Sequence, residues 1–546
     1  MKTLTRNAPL LVLLLVCSSA SLALRRERLV TTWQPRHYAV SITLNDQLSE
    51  ISTATARIDI VALKRLSAID FDFGELTTKA VTVNSQPARF THKDGRLEIT
   101  LAKPFNAGSR LLVQIDYFGK PKDGLILTND KDGKPAAVGD NWPNRVHHWI
   151  PTLDHPSAKA TIDFSITAPA NNEVVANGRF EKVETTASGS RTWTYSETVP
   201  IPPYCMIIGV GQFAKLEPTI PSLTPLSYYV PMSDSPFAIK GFSPTAPVVQ
   251  YFSQTVGPYP YEKLAMIVGN TRYGGMENSS AIIFTANLFN RNANAKLSTT
   301  YGIPSGNVGL IAHEIAHQWF GDSVTEATWS DLWLSEGFAT YFAGLFIQKH
   351  EGEAEFQAYM KQAATTALNY AKRSQTPIFD NQTEDLNKLL NGNNYQKGAW
   401  VLHMLRSRLG DDAFFRGIRA YYEEHKNSTA TSEDLRQALE RASKQNLRVF
   451  FDRWIYNGGY PQYELKSSLA KKTGELYLTL QQNQAGPVFT DPVPVKVVTE
   501  AGPIDVVLQP RTKITKQLVL VTSEVRSIEI DPNNTLLKEA ISAPLW

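Results

Sequence analysis

The sequence predicts a multidomain α+β protein with an all-β N-terminal domain, a mainly helical middle and a C-terminal β-sandwich. Three observations carry that expectation. The chain has 546 residues, more than one ordinary hydrophobic core organises. Apolar and polar residues alternate with a period of two from about residue 30 to 215, and again after Tyr463. Between those stretches the apolar spacing changes to the helical i, i+3, i+4 pattern.

Taken in order, residues 1–23 read as a signal peptide. Lys2 and Arg6 supply a positive start, "APLLVLLLV" a short apolar core and "SSASLA" small residues for a cut near Ala23. A lipoprotein anchor is disfavoured, because Val16 stands before Cys17 where a small residue is needed. The apolar core is too short to span a bilayer comfortably, and no later run reaches the ~20 apolar residues of a spanning helix. The expected location is therefore periplasmic or extracellular, with no stable membrane span after cleavage. Cleavage would leave Cys205 as the single cysteine, unable to form an intramolecular disulfide and expected to be a buried packing residue.

Residues 24–225 form the expected β domain, with "HYAVSITLN", "ATARIDIVAL", "GRLEITLA" and "RLLVQIDYFG" as strands between Gly, Pro, Asn and Asp turns. The proline-rich "LEPTIPSLTPL" marks its end. Residues 226–462 carry six helical patterns, including "GNVGLIAHEIAHQWFG", "SEGFATYFAGLFIQKH" and "YQKGAWVLHMLRSRLG". Residues 463–546 return to alternation over a length that suits a sandwich. A net charge of +3, without a run of like charges, argues against a nucleic-acid partner.

The chemistry concentrates in "HEIAHQWFGDSVTEATWSDLWLSEG", residues 313–337. Val308, Ile311, Ala312, Ile315, Ala316 and Trp319 set a helical period, with Gly321 as its stop. His313 and His317 are spaced i, i+4, so both rings leave one face and reach one ion. Glu336 opens a later helix, with Ser335 as the expected N-cap. It completes a His2Glu shell for one zinc ion per chain, leaving a fourth position for water. Phe320 and Ser323 exclude the three-histidine variant of the motif. Glu314, about 100° around the helix, is the expected general base. Asp331 is either an acceptor for a ligand imidazole N–H or a solvated turn aspartate. This much predicts hydrolysis of an amide.

"HEIAHQWFGD" and "WSDLWLSEGFATYF" closely resemble the zinc aminopeptidases related to aminopeptidase N and the leukotriene epoxide hydrolase, gluzincins with a distal glutamate ligand. "YGGMENSS", residues 273–280, resembles their Gly-x-Met-Glu-Asn exopeptidase signature, and "NNYQKGAW" their catalytic-tyrosine segment. The resemblance implies a thermolysin-like catalytic domain and peptide substrates with a free N-terminal amine. Glu277 would bind that amine, and Gly274, Gly275, Met276 and Asn278 would line the substrate's path. Tyr395 would stabilise the oxyanion.

Two departures stand out. Family members place a Glu or Gln, as second amine ligand, about nine residues before the proline of "IPTLDHP"; here that position is Trp142, with Asp140 the nearest substitute. The large members also carry a C-terminal helical superhelix over the active site, so its absence before Trp546 implies a more open cleft. The expectation is an aminopeptidase for neutral or basic N-terminal residues. An endopeptidase, an epoxide hydrolase and a non-catalytic zinc-bearing binding protein are the alternatives. Finally, "NSS" at Asn278 is a glycosylation sequon inside the expected site. Either it is buried or the export route lacks glycosylation.

Overall fold

The structure is a computed structural model, and it describes residues 24–542 apart from 219–221, 223, 291–293 and 471. The expected signal peptide lies outside the described residues. Among the described residues, no helix is long and apolar enough to cross a membrane.

The N-terminal region is all β. Its largest sheet has eight strands, with Trp33–Leu44 and Ile51–Ala62 at the centre. Alternation is strict there: Tyr38, Val40, Ile42 and Leu44 face one core, as do Ile58 and Ile60 of the next strand. Trp33–Leu44 pairs antiparallel with Ile51–Ala62 but parallel with Ala160–Ala168, matching His37 to Thr161 and Thr43 to Thr167. A period of two reveals which face is buried, yet it leaves the partner strand open.

The middle begins with a five-stranded mixed sheet, ordered Phe213–Leu216, Leu226–Pro231, Leu264–Gly269, Ala281–Thr285 and Gly275–Met276. Phe213–Leu216 pairs with Leu226–Pro231, so this sheet reaches back across the proline-rich break. Nine helices follow or flank it among the described residues. They are α1 (Ser235–Gly241), α2 (Thr245–Thr255), α3 (Ser305–His317), α4 (Trp333–Glu351), α5 (Glu353–Ala371), α6 (Gly398–Leu409), α7 (Asp411–His425), α8 (Ser432–Ser443) and α9 (Arg448–Trp454). Helices α1, α7 and α9 add to the six expected ones, and the α7 period is legible in Phe414, Ile418, Tyr421 and Tyr422.

Helix α4 is the hub. Every residue from Trp333 to Phe346 is buried, the signature of a helix surrounded by protein on all sides. It starts at Trp333, so Ser335 is not its N-cap: the serine sits inside the first turn. The local reason is a short 3-10 turn, Trp329–Asp331, that runs directly into the helix.

The C-terminal region is β-rich, with a four-stranded and a three-stranded sheet. Leu465, Leu478 and Leu480 from the first and Val493, Val495 and Val497 from the second join one core, which continues into the helices through Trp454 and Phe338. A separate cluster of Trp142, Tyr204, Cys205, Ile267, Met276 and Trp329 fills the junction between the N-terminal strands and the helical region.

Candidate metal centre and substrate cleft

His313 and His317 project from the last turn of α3, and Glu336 from the first turn of α4. Their ligand atoms form a small triangle. The two imidazole Nε2 atoms are 3.1 Å apart, and Glu336 Oε2 lies 3.3 Å from His313 and 3.4 Å from His317. Tetrahedral zinc with bonds of about 2.0–2.1 Å sets its ligands roughly 3.3–3.4 Å apart, so the donor set fits the ion. Glu336 Oε2 is buried and makes no hydrogen bond, a state that costs free energy unless a cation is bound.

His317 Nδ1 lies 3.1 Å from the Phe320 carbonyl and 3.0 Å from the Ser335 hydroxyl. A carbonyl only accepts, so Nδ1 carries the proton and the Nε2 lone pair points into the triangle. The orienting partners are therefore Phe320 and Ser335 rather than Asp331. Asp331 Oδ1 instead accepts from the Ser432 backbone N–H at 3.0 Å and the Ser432 hydroxyl at 2.5 Å, tying the segment before α4 to the start of α8. Gly321 permits the Ser335 contact. Its φ is +121°, and a Cβ there would collide with the Ser335 hydroxyl and lie 3.1 Å from His317 Nδ1.

Glu314 and Glu277 face the same space. Either can approach His317: one carboxylate oxygen from each and a His317 nitrogen lie within 4.8 Å of one another. Burial pushes Glu314 well above the usual carboxylate range and Glu277 up to about 7. Burial alone would lower His317, but Glu277, Glu336 and Glu314 outweigh it and hold the imidazole well up. Burial likewise acts to raise Glu336, and the two histidines overcome it, bringing that carboxyl down to about 2. Three buried carboxylates around two imidazoles thus call for positive charge, supplied by a proton or by a metal ion.

Among the described residues the edge strand Gly275–Met276 pairs on one side only, Gly275 opposite Phe284 and Met276 opposite Ile283. A Cβ at Gly275 would collide with the Glu314 carboxylate, whereas one at Gly274 would meet Leu310 at an ordinary 3.6 Å. Gly275 is therefore the glycine that close approach requires. Asn278 is fully buried, so its sequon offers no surface to a glycan in the folded protein.

Tyr395 sits in a π-helical turn, Asn393–Lys397, ahead of α6. Its ring is parallel to that of His313 within 9°, with centroids 5.9 Å apart. Such turns recur at functional sites because the extra residue re-aims a side chain. This one is seated by two glycines that sequence reasoning passed over. A Cβ on Gly337 or on Gly398 would come within 3.0 Å of the other's main chain. Burial raises the Tyr395 hydroxyl well above its ordinary value, and Glu336 adds to the effect.

These residues line one cavity of about 910 Å³, with Trp142, Tyr273, Gly274, Gly275, Met276 and Glu277 at its sheet-edge wall. Asp140 is not free to act there. Its Oδ1 accepts from Arg145 at 2.7 Å and its Oδ2 from the Arg272 backbone N–H at 2.9 Å. Trp142 occupies the wall instead, edge-on to Tyr273 and to Trp329.

Comparison with known families matches the Peptidase M1 N-terminal domain over residues 34–205 and the Peptidase family M1 domain over 243–454. The chain belongs to the peptidase M1 family. Its M1 relatives include "Probable aminopeptidase 2" of Sulfurisphaera tokodaii, 28% identical over 78% of this chain and 54% of that protein. The tricorn protease-interacting factor F2 of Thermoplasma acidophilum is 27% identical over 80% of this chain and 55% of its own length. Rat glutamyl aminopeptidase is 29% identical over 61% of this chain and 36% of its own. This M1 chain thus spans about half the length, or less, of these relatives.

Proposed function

We propose that the protein is an exported, zinc-dependent aminopeptidase with a thermolysin-like catalytic domain. The observation that carries this reading is Glu277, a buried carboxylate facing the His2Glu triangle from the end of a free sheet edge. A carboxylate at a fixed distance from the metal measures one residue from a chain end. A protonated amine pairs with it, and an acylated amine cannot. Export rests on the N-terminal sequence alone.

A zinc ion held by His313, His317 and Glu336 would polarise the scissile carbonyl and lower the pKa of a water towards ~7. The substrate's N-terminal residue lies along Gly275–Met276 as an added strand, with its ammonium on Glu277. Glu314 takes the proton from the attacking water and passes it to the leaving amine. Its raised pKa suits a group that must hold a proton between those steps. Tyr395 stays protonated at neutral pH and donates its hydroxyl hydrogen to the developing oxyanion.

The wall beside Glu277 presents Trp142, Tyr273 and Met276, and the lysine in the cavity lining, Lys296, is paired with Glu355 at 2.5 Å. That supports neutral N-terminal residues over acidic ones, unlike what the name of the rat relative states for that enzyme. A panel of aminoacyl arylamides, with and without a zinc chelator, tests the proposal. The expected result is chelator-sensitive cleavage of leucyl, methionyl and alanyl substrates well above glutamyl. Equal cleavage of free and N-acetylated peptides would sink the exopeptidase reading.

A further inference from the structure

Gln318 follows His317 directly and is fully buried. Its side-chain amide uses every hydrogen-bonding position it has. Nε2 donates to the Glu277 backbone carbonyl at 2.8 Å and to Asp322 Oδ2 at 2.9 Å. Oε1 accepts from the Ser280 backbone N–H at 2.8 Å and from the Tyr259 hydroxyl at 3.0 Å. One amide therefore grips both ends of the segment Glu277–Ser280 while its own backbone continues the helix end that bears His317.

The surroundings keep that grip in place. Asp322 Oδ1 accepts from the lone thiol of Cys205 at 3.2 Å, so the thiol serves as a donor as well as a packing group. The Lys159 ammonium, from the N-terminal region, donates to the carbonyls of Asp322 and Ser323 at 2.6 and 2.8 Å. Asn177, also N-terminal, donates to the Ser279 carbonyl at 2.6 Å. Ser280 adopts the left-handed φ of +61° and sends its hydroxyl to Glu197 at 3.0 Å. A glutamine merely filling a core would not need to touch the carbonyl of Glu277 itself.

We infer that Gln318 is a positioning residue that sets the separation between the metal and the amine-binding carboxylate, and so fixes the one-residue register of cleavage. This rests on the aminopeptidase reading above. It makes Gln318 responsible for amine recognition without contact to substrate or metal, which separates its effect from that of a ligand.

The test compares two inhibitors that reach the metal alike: leucine hydroxamate, and 4-methylpentanoyl hydroxamate, which lacks the amine. In the wild-type holoenzyme the amine should improve Ki by tenfold or more. In Gln318→Met that advantage should fall at least tenfold, while Ki for the amine-free hydroxamate stays within about twofold and zinc content stays at one per chain. Gln318→Glu keeps the acceptor for Ser280 and Tyr259 but loses the amide donor to Glu277 and to Asp322. It should show the same selective loss, and it carries the test if the methionine variant does not fold. An unchanged ratio in either folded variant, or equal weakening of both inhibitors, would overturn the role of Gln318. A wild-type ratio near one would instead reject the aminopeptidase reading, and the inference with it.

Discussion

The two halves of the cleft are built in opposite ways. The candidate metal half comes from one helix end and one helix start, with His313 and His317 four residues apart and Glu336 nineteen further on. The half proposed to bind the amine comes from a two-residue strand and a short loop held by side chains 38 to 102 residues away, those of Gln318 and Asn177. Helical spacing delivers the first almost by itself. The second exists only once several sheets and helices have packed. A site can thus have its reactive centre written locally and its selectivity written globally.

That contrast yields predictions, taken from the largest expected effect to the smallest. Glu314→Gln should leave zinc bound and lower turnover by about two to four orders of magnitude, measured as kcat beside zinc stoichiometry. Full activity in that variant would remove Glu314 from proton transfer. Tyr395→Phe should lower kcat by roughly two to three orders with little change in KM. A change confined to KM would show that the ring only shapes the cleft. Ser335→Ala probes the metal half alone. It should weaken zinc affinity by about tenfold, read by competition with a chelator, and leave the saturated enzyme close to wild-type rates.

The smallest effect concerns the amine half in the metal-free protein. Burial raises Glu277 from 4.5 to about 7, so between those values the folded state binds more protons than the unfolded one. Stability contributed by that group is complete below about pH 4.5 and is lost as pH rises through 7. Thermal unfolding of the metal-free protein across this window should therefore slope downward more steeply in wild type than in Glu277→Gln. Identical slopes would mean that Glu277 is not buried in its charged form.

The same division explains what could be read in advance. The H-E-x-x-H spacing, the later glutamate and the alternating strands are local patterns, and each appears in the sequence as it does in the fold. Ser335 is instructive because its placement beside a helix start was legible while its use was not. The helix begins at Trp333, two residues earlier, which frees the hydroxyl for His317. Asp331 illustrates the limit more sharply, since its partner Ser432 is 101 residues away. Likewise, alternation in Trp33–Leu44 exposes the inward face but cannot announce a parallel neighbour at Ala160–Ala168. Gln318 carries no local signal, because nothing nearby in sequence receives its amide except Asp322.

One joint in the molecule has a consequence for anyone wishing to reshape the cleft. Where Gly337 meets Gly398, main chain rests on main chain with no side chain between. Elsewhere in a protein, rotamers act as adjustable shims that absorb a mutation's disturbance. Here there are none, so the spacing between the Glu336 carboxylate and the Tyr395 phenol opposite it is fixed by the thickness of the backbone. Replacing either glycine should act as a fixed wedge, and a wider cleft would have to be engineered by rebuilding the turn rather than by trimming residues around it.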